Sequence, residues 1–326
     1  MPRRRCRRSQ APRSPRRAGN PDRMQVDGIA GFALTRVAPA KINLALHVVG
    51  QRPDGHHLLE SLVTFADDGD RVAFAPADVD NFTVSGPFSR DLQVSADAKS
   101  GNLVLRARDL LRRELIDRSD AAGPVHLHLE KNLPIASGIG GGSADAAATL
   151  RGLLSLWKAE LAPQRLASLA LELGADVPMC LDGRPLLAKG IGEELAPLGD
   201  LPSFPVVLVN PLIAVSTPVI FRMLAQKRNP PLTVPQGIRT AADWLKALAG
   251  MRNDLERPAR ALQPAIEAVS GALHAAEADL VRMSGSGATC FGLFDGDEKA
   301  AAAAQRISAD HPGWYVLATR TAGKRG

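Results

Sequence analysis

Four glycines fall within five residues in the run Gly138-Ile139-Gly140-Gly141-Gly142. A strand-like segment, Val125 to Leu129, precedes them, and an alanine-rich helical pattern, Ala144 to Leu154, follows. Glycine lets backbone N–H groups approach a ligand closely, and a helix N-terminus favours negative charge. The order strand, glycine run, helix therefore predicts a phosphate-binding loop. The plainer alternative is a flexible loop that packs tightly against its helix. Neither common nucleotide-binding pattern fits. The P-loop needs Gly-Lys followed by Ser or Thr at its end, whereas the nearest lysine, Lys131, precedes Gly138 by seven positions. The dinucleotide fingerprint needs an acidic residue at the end of a strand about 20 positions on, and none is there. A phosphate-binding loop remains the expectation, and the chemistry stays open.

The chain has 326 residues, 45% of them hydrophobic, enough for a full core and two domains. It has no long uninterrupted apolar run, so no membrane partner is expected. The net charge of +6 is misleading, because residues 1–27 hold nine Arg and two Asp, a net of +7. The remaining chain sums to about −1 by the same count, which gives no footprint for nucleic acid. Residues 1–30 are read as a disordered basic extension. For its first 27 residues three origins stay open: a start upstream of a true one near Met24, a basic arm, or an organelle transit peptide. Cytoplasmic location is expected, or plastid if the extension is a transit peptide. Cys6, Cys180 and Cys290 form no disulfide framework or metal cluster.

Along the body, Ile42–Val49 alternates as a strand should, and Gly50–Gly55 is a turn around Pro53-Asp54-Gly55. Leu58–Phe65 reads as extended, Asp67–Asp70 as a turn, and Phe82–Ser85 as a strand. Asn102–Leu115 and Pro163–Leu173 carry helical periodicity. Further on, Pro205–Asn210, Thr289–Phe294 and Trp314–Ala318 read as strands, and Ser216–Ala225, Ala241–Ala249, Leu262–Ala276 and Glu298–Ala309 as helices. A second glycine loop spans Met283-Ser284-Gly285-Ser286-Gly287-Ala288. The last third is a mixed α/β unit, and the domain boundary is placed near 195–205, dividing 31–200 from 201–326.

Five side chains stand out. Asp176 lies between Gly174-Ala175 and Val177-Pro178, where a carboxylate needs a partner or acts as a capping or turn residue. Lys41, at the head of an apolar strand, either snorkels to water or reaches an anion. His56 and His57 follow a tight turn. A zinc site would need further ligands that no spacing supplies, so hydrogen bonding or stacking to a substrate, or an exposed turn pair, remains. Ser143 sits at the start of the helical pattern and is placed to cap it or to meet phosphate or Mg²⁺.

Three ordered segments, Pro39–Leu44, Leu133–Ala148 and Met283–Ala288, resemble the motifs of the GHMP kinase superfamily. Gly50–His57, Leu173–Pro178, Ser216–Phe221 and Asn253–Glu256 are similar to the branch that acts on a CDP-linked sugar alcohol, and the similarity runs from about Thr35 to the C-terminus. The resemblance implies an α+β fold of two domains. The N-terminal one is ribosomal-protein-S5-domain-2-like, binds ATP and carries catalysis, and the C-terminal one is ferredoxin-like and binds substrate. The implied reaction is ATP-dependent phosphorylation of the 2-hydroxyl of 4-diphosphocytidyl-2-C-methyl-D-erythritol, in the non-mevalonate route to isoprenoid precursors. ATP and Mg²⁺ are the implied cofactors, and monomer or homodimer the implied state.

By resemblance, Asp176 is the base or orienter for the acceptor hydroxyl, and Lys41 sets its charge state. Asn102, Lys131 and Pro134, Ile135, Ala136, Ser137, Gly138, Ile139, Gly140, Gly141, Gly142 and Ser143 lie on the ATP side, Ser143 with a Mg²⁺ role. Asn43 matches the methylerythritol end, and His56, His57 and Phe221 the cytidine end. Gly285, Ser286 and Gly287 match the motif that closes around substrate. Two departures stand out. The family usually has Tyr where this chain has His56, and an imidazole stacks with less area than a phenol. Ala136-Ser137 is also less glycine-rich than the usual form. Another GHMP kinase, acting on mevalonate or homoserine, is the nearest rival. A nucleic-acid-binding protein is a more distant one, disfavoured by the near-neutral body.

Overall fold

The computed structural model describes residues 29–92, 101–117, 122–235, 237–238 and 240–324. Met24, Cys6 and nearly all of the basic extension lie outside the described residues. Two long strands dominate the first half. β1 (Leu34–Gln51) and β2 (His57–Pro76) form an antiparallel hairpin. Its turn is closed by Gly55 N–H on the Arg52 carbonyl at 3.0 Å and Arg52 N–H on the His56 carbonyl at 2.8 Å. β1 is buried without a break from Ala38 to Val48. A strand wet on one face would alternate, so this run reports cover on both faces.

The expected turn at Asp67–Asp70 is instead part of β2. Lys41 pairs with Phe65 and Pro39 with Gly69, so residues 66–68 bulge opposite Ala40. Asp67 and Asp68 project to solvent, whereas Asp70 returns to the ladder and is fully buried. Turn-forming residues are thus absorbed by a bulge, because strong pairing continues on both sides of them.

β3 (Asn81–Ser85), β4 (Val125–Glu130), β5 (Leu186–Gly190) and β6 (Glu194–Pro197) complete a six-stranded sheet in the order β3-β4-β2-β5-β6, with β1 on β2. The short β5 and β6 carry too little pattern to be seen in sequence. Helices α1 (Leu103–Asp117), α2 (Gly141–Trp157), α3 (Pro163–Leu173) and α4 (Val177–Asp182) bury Leu105, Leu111, Leu150, Leu153 and Leu169 with Phe74 and Leu127 of the sheet.

The second sheet holds β7 (Pro205–Asn210), β8 (Leu280–Met283), β9 (Cys290–Leu293) and β10 (Tyr315–Arg320) in the antiparallel order β10-β7-β9-β8. Between β7 and β8 lie α5 (Thr217–Arg222), α6 (Ala241–Ala249), α7 (Glu256–Leu262) and α8 (Ala265–Ala275), and α9 (Asp297–Asp310) joins β9 to β10. Counting within the sheet, the order is fourth, first, third, second, the ferredoxin-like arrangement. The helix expected over Leu262–Ala276 begins at Ala265, and α7 precedes it, because Gln263 breaks to extended backbone. Ile42 and Leu44 of β1 share a core with Val206, Leu208 and Phe291 of the second sheet, which is what buries the other face of β1. The chain is α+β.

Candidate active site

A cavity of 610 Å³ opens where these two halves meet. Its wall includes Lys41 and Asn43 of β1, the loop after β4, Asp176, Phe221 of α5, and Gly285 and Ser286 of the β8–β9 loop. The glycine loop enters α2 through Gly140, which is left-handed at φ 66°. The helix begins at Gly141, so Ser143 lies inside its first turn and cannot cap it. Ser143 still lines the cavity, beside N–H groups that a helix start leaves without intrahelical partners. Gly138 has φ 77°, and a Cβ there would lie 2.6 Å from the Ser284 carbonyl oxygen. The first glycine loop is therefore pressed against the second.

Hydrogen bonds stitch the three segments together. Lys41 N–H donates to the Ile139 carbonyl at 2.8 Å. Ser284 Oγ accepts from Asn43 N–H at 3.1 Å and donates to the Gly138 carbonyl at 3.2 Å. Thr289 Oγ1 donates to the Ser137 carbonyl at 2.7 Å. Asn253 Nδ2 holds the carbonyls of Met283 and Gly285, each at 2.8 Å. Asn43 Nδ2 donates to Ser61 Oγ at 2.7 Å, and its Oδ1 is buried without a partner.

Asp176 precedes α4 but makes no side-chain cap bond to it. Its Oδ2 instead meets Lys41 Nζ at 2.6 Å. Lys41 is buried, while the Asp176 side chain is 41% exposed toward the cavity. Of the sequence alternatives, the capping aspartate and the snorkelling lysine are both excluded. A paired carboxylate open to a ligand is an arrangement able to take or orient a hydroxyl proton.

His57 stacks on Phe221, ring centroids 4.8 Å apart and planes 25° apart. Burial, with Lys227 and His56 nearby, holds the His57 imidazole below its ordinary range. His56 is 65% exposed and pairs with Asp54 Oδ1 through Nδ1 at 3.2 Å. Neither histidine is in the cavity wall that Phe221 lines; His57 is tied to it through its stack on Phe221, whereas His56 pairs with Asp54 instead of stacking as expected. The Ile139 side chain is likewise in the core rather than in the cavity, and Gly287 does not line it. Asn102 is in the wall, its Oδ1 accepting Val104 N–H at 2.9 Å to start α1.

Residues 102–184 match the profile of the GHMP kinases N terminal domain, and residues 237–313 that of the GHMP kinases C terminal. A protein of Sinorhizobium medicae named 4-diphosphocytidyl-2-C-methyl-D-erythritol kinase is 73% identical over 303 residues, 93% of this chain and 100% of that one. The chain belongs to this kinase family. A Rhizobium meliloti protein of the same name is 72% identical over the same shares. A crystal structure of 4-(cytidine 5'-diphospho)-2C-methyl-D-erythritol kinase is 35% identical, with a TM-score of 0.72 over 89% of this chain and 100% of that one. The mevalonate kinase of L. major, solved with R-mevalonate, is 16% identical at TM-score 0.62, a likeness of fold alone.

In this kinase Lys131 is in the cavity wall, with its ammonium committed to two aspartates. Its ammonium is held by Asp70 Oδ2 and by Asp145 Oδ2, the latter at 2.9 Å, with Lys131 only 3% exposed. Burial outweighs the lysine's attraction and pushes the Asp145 carboxyl up to about 8, with Asp70 adding to the effect. Sequence reasoning assigned no role to Asp70, Asp145, Ser61 or Thr289. Asp145 carried a usable signal, since a carboxylate inside an alanine-rich helix needs a partner. Asp70 carried none, because Asp-Asp-Gly-Asp reads as a turn. Among the described residues no group of three or more His, Cys, Asp or Glu is arranged to hold a metal ion, and no helix is long and apolar enough to cross a membrane.

Proposed function

We propose that the chain transfers the γ-phosphoryl group of ATP to the 2-hydroxyl of 4-diphosphocytidyl-2-C-methyl-D-erythritol, as a step of the non-mevalonate route to isoprenoid precursors. The observation that carries this reading is the Lys41–Asp176 pair at 2.6 Å, open to a cavity that the glycine loop and Phe221 also line. Phosphoryl transfer needs alignment and charge stabilisation more than covalent help. Asp176 orients the acceptor hydroxyl and takes its proton. Lys41 fixes the carboxylate and adds positive charge where negative charge passes between phosphate and hydroxyl. The N–H groups at the start of α2 bind the phosphates. Asn43 faces the methylerythritol unit, and its unpartnered Oδ1 supports a contact there. His57 and Phe221 take the cytosine, and Asn102 the nucleoside of ATP. Gly285 and Ser286 close over the substrate.

Mg²⁺ fits this site, because Ser143, which carries a hydroxyl oxygen, lines the cavity beside the phosphate positions. Bound there with ATP it would neutralise phosphate charge. The half 31–200 carries ATP and catalysis and lends Asn43 and His57 to the substrate, and 201–326 supplies the rest of the substrate contacts. The reading places the enzyme in the cytoplasm as a monomer or homodimer, with neither nucleic acid nor membrane as partner. An ATP-dependent assay offers the CDP-linked alcohol beside mevalonate and homoserine, with products read by mass. Phosphorylation of the CDP-linked alcohol alone is expected. Turnover of mevalonate or homoserine in its place would overturn the reading.

A further inference from the structure

Asp70 is fully buried, yet its carboxylate is used on both oxygens. Oδ1 accepts the backbone N–H of Asn132 at 2.6 Å and of Leu133 at 2.8 Å. Oδ2 accepts from Lys131 Nζ, which also donates to Asp145 in α2. These partners bracket the glycine loop, since residues 131–133 lead into it and Asp145 lies just after the helix start that ends it. A Cβ on Gly141 would lie 3.1 Å from Lys131 Nζ and 3.4 Å from Asp70 Oδ2, so the cluster sits directly beneath the first turn of α2. The lysine backbone is committed as well, its N–H to the Ser85 carbonyl at 2.8 Å and its carbonyl to Phe88 N–H at 3.1 Å.

We propose that Asp70 is a positioning residue for the phosphate-binding loop: through two backbone amides and the Lys131 ammonium it fixes the entry of the loop against the start of α2, and that ammonium, although Lys131 lines the cavity, acts through this lock rather than on ATP. A carboxylate suits the task because it accepts several hydrogen bonds at once, and charge-assisted bonds in a dry site are strong and directional. A loop of glycines has little stiffness of its own. Its amides hold phosphate geometry only if the ends are anchored. The lock supplies one anchor, and the bonds from Ser284 and Thr289 supply the other. The inference rests on the glycine loop being the ATP site.

The decisive variant is Asp70→Asn. Its amide oxygen can still accept from the two backbone amides, but its NH₂ faces the ammonium and the ion pair is lost. With a loosened loop, KM for ATP rises about tenfold or more, while KM for the CDP-linked alcohol stays within about twofold, since misplacement rather than lost contact is the cause. If Lys131 were itself an ATP contact, freeing its ammonium would leave ATP binding unchanged or tighter. That result in a folded Asp70→Asn enzyme would overturn the proposal. Amide hydrogen exchange on the unsubstituted protein without ATP gives a test that needs no variant to fold. Asn132 and Leu133 amides are expected to exchange about a hundredfold slower than unprotected amides, and free exchange at both would refute the lock. Wild-type turnover is measured alongside, so that loss of the kinase reading and loss of the lock are told apart: protection is independent of which molecule is phosphorylated.

Discussion

Lys41 and Lys131 each meet aspartate in the wall of one cavity, and their surroundings give them opposite fates. Lys41 has one carboxylate, Asp176, whose side chain is 41% exposed to the cavity. Lys131 has two, Asp70 and Asp145, and all three side chains are buried. An ion pair open on one side can exchange a proton with a ligand, or turn toward it. A pair whose side chains are all buried holds its neighbours in place, because moving a charge out of it uncovers a buried partner. Residue type alone does not separate these roles. The number of partners and the access to a ligand do.

If the open pair does the chemistry, Asp176→Ala lowers kcat by about 10²–10⁴-fold while binding of the CDP-linked alcohol, measured by titration, is largely kept. A near-normal kcat in the purified variant would remove Asp176 from the role. Lys41→Met comes next, with kcat down about 10²–10³-fold as a preorganised charge is lost. Steady-state assays that find only a raised KM would move Lys41 from chemistry to binding. Loosening the closed cluster by Asp70→Asn is the third and milder change, read on the ATP side alone.

The closed cluster also predicts a pH effect on stability. The folded Asp145 carboxyl is raised from 3.8 to about 8, so its contribution to stability is fully present below 3.8 and is lost as pH rises toward 8. Asp145→Asn imitates the protonated form. Its melting temperature is expected to exceed that of the unsubstituted protein by a few degrees at pH 8, about what 1 kcal/mol gives in a protein of this size, and by less at pH 5. Thermal melts that show a pH-independent gap would deny Asp145 that titration. The smallest effect lies at the stacked pair. The His57 pKa is lowered from 6.5, so its neutral form persists below that pH. KM for the CDP-linked alcohol should vary less than about twofold from pH 8 to 6.5 and rise only below, where the imidazole gains charge. A clear rise already at 6.5 would show an imidazole that titrates normally.

Much of the fold was legible where the signal is local. Pro163–Leu173, Pro205–Asn210 and Ala241–Ala249 have the bounds that periodicity and flanking residues indicated. The elements that escaped were short or interrupted: β5, β6, β8, α4 and α7 span four to seven residues each, less than two turns of helix or a clear alternation. Asp67–Asp70 misled because turn chemistry is local and strand pairing is not. In the site, Lys41, Asp176 and the glycine loop were visible as residues out of keeping with their neighbours. His56 was visible too, yet its ring turns to Asp54 and away from the cavity.

By itself, the sequence determined that a glycine loop lies between a strand and a helix, and which residues resemble those of the GHMP kinases. Backbone freedom of glycine and the pattern of apolar residues are properties of neighbours in the chain, so they can be read there. Only the tertiary structure decided which charge meets which. Lys41 and Asp176 are 135 positions apart and Lys131 and Asp70 61, and the packing of β1, β2 and α2 brings each pair together. Burial then makes one lysine a closed anchor, and an open wall leaves the other's partner free to meet a substrate.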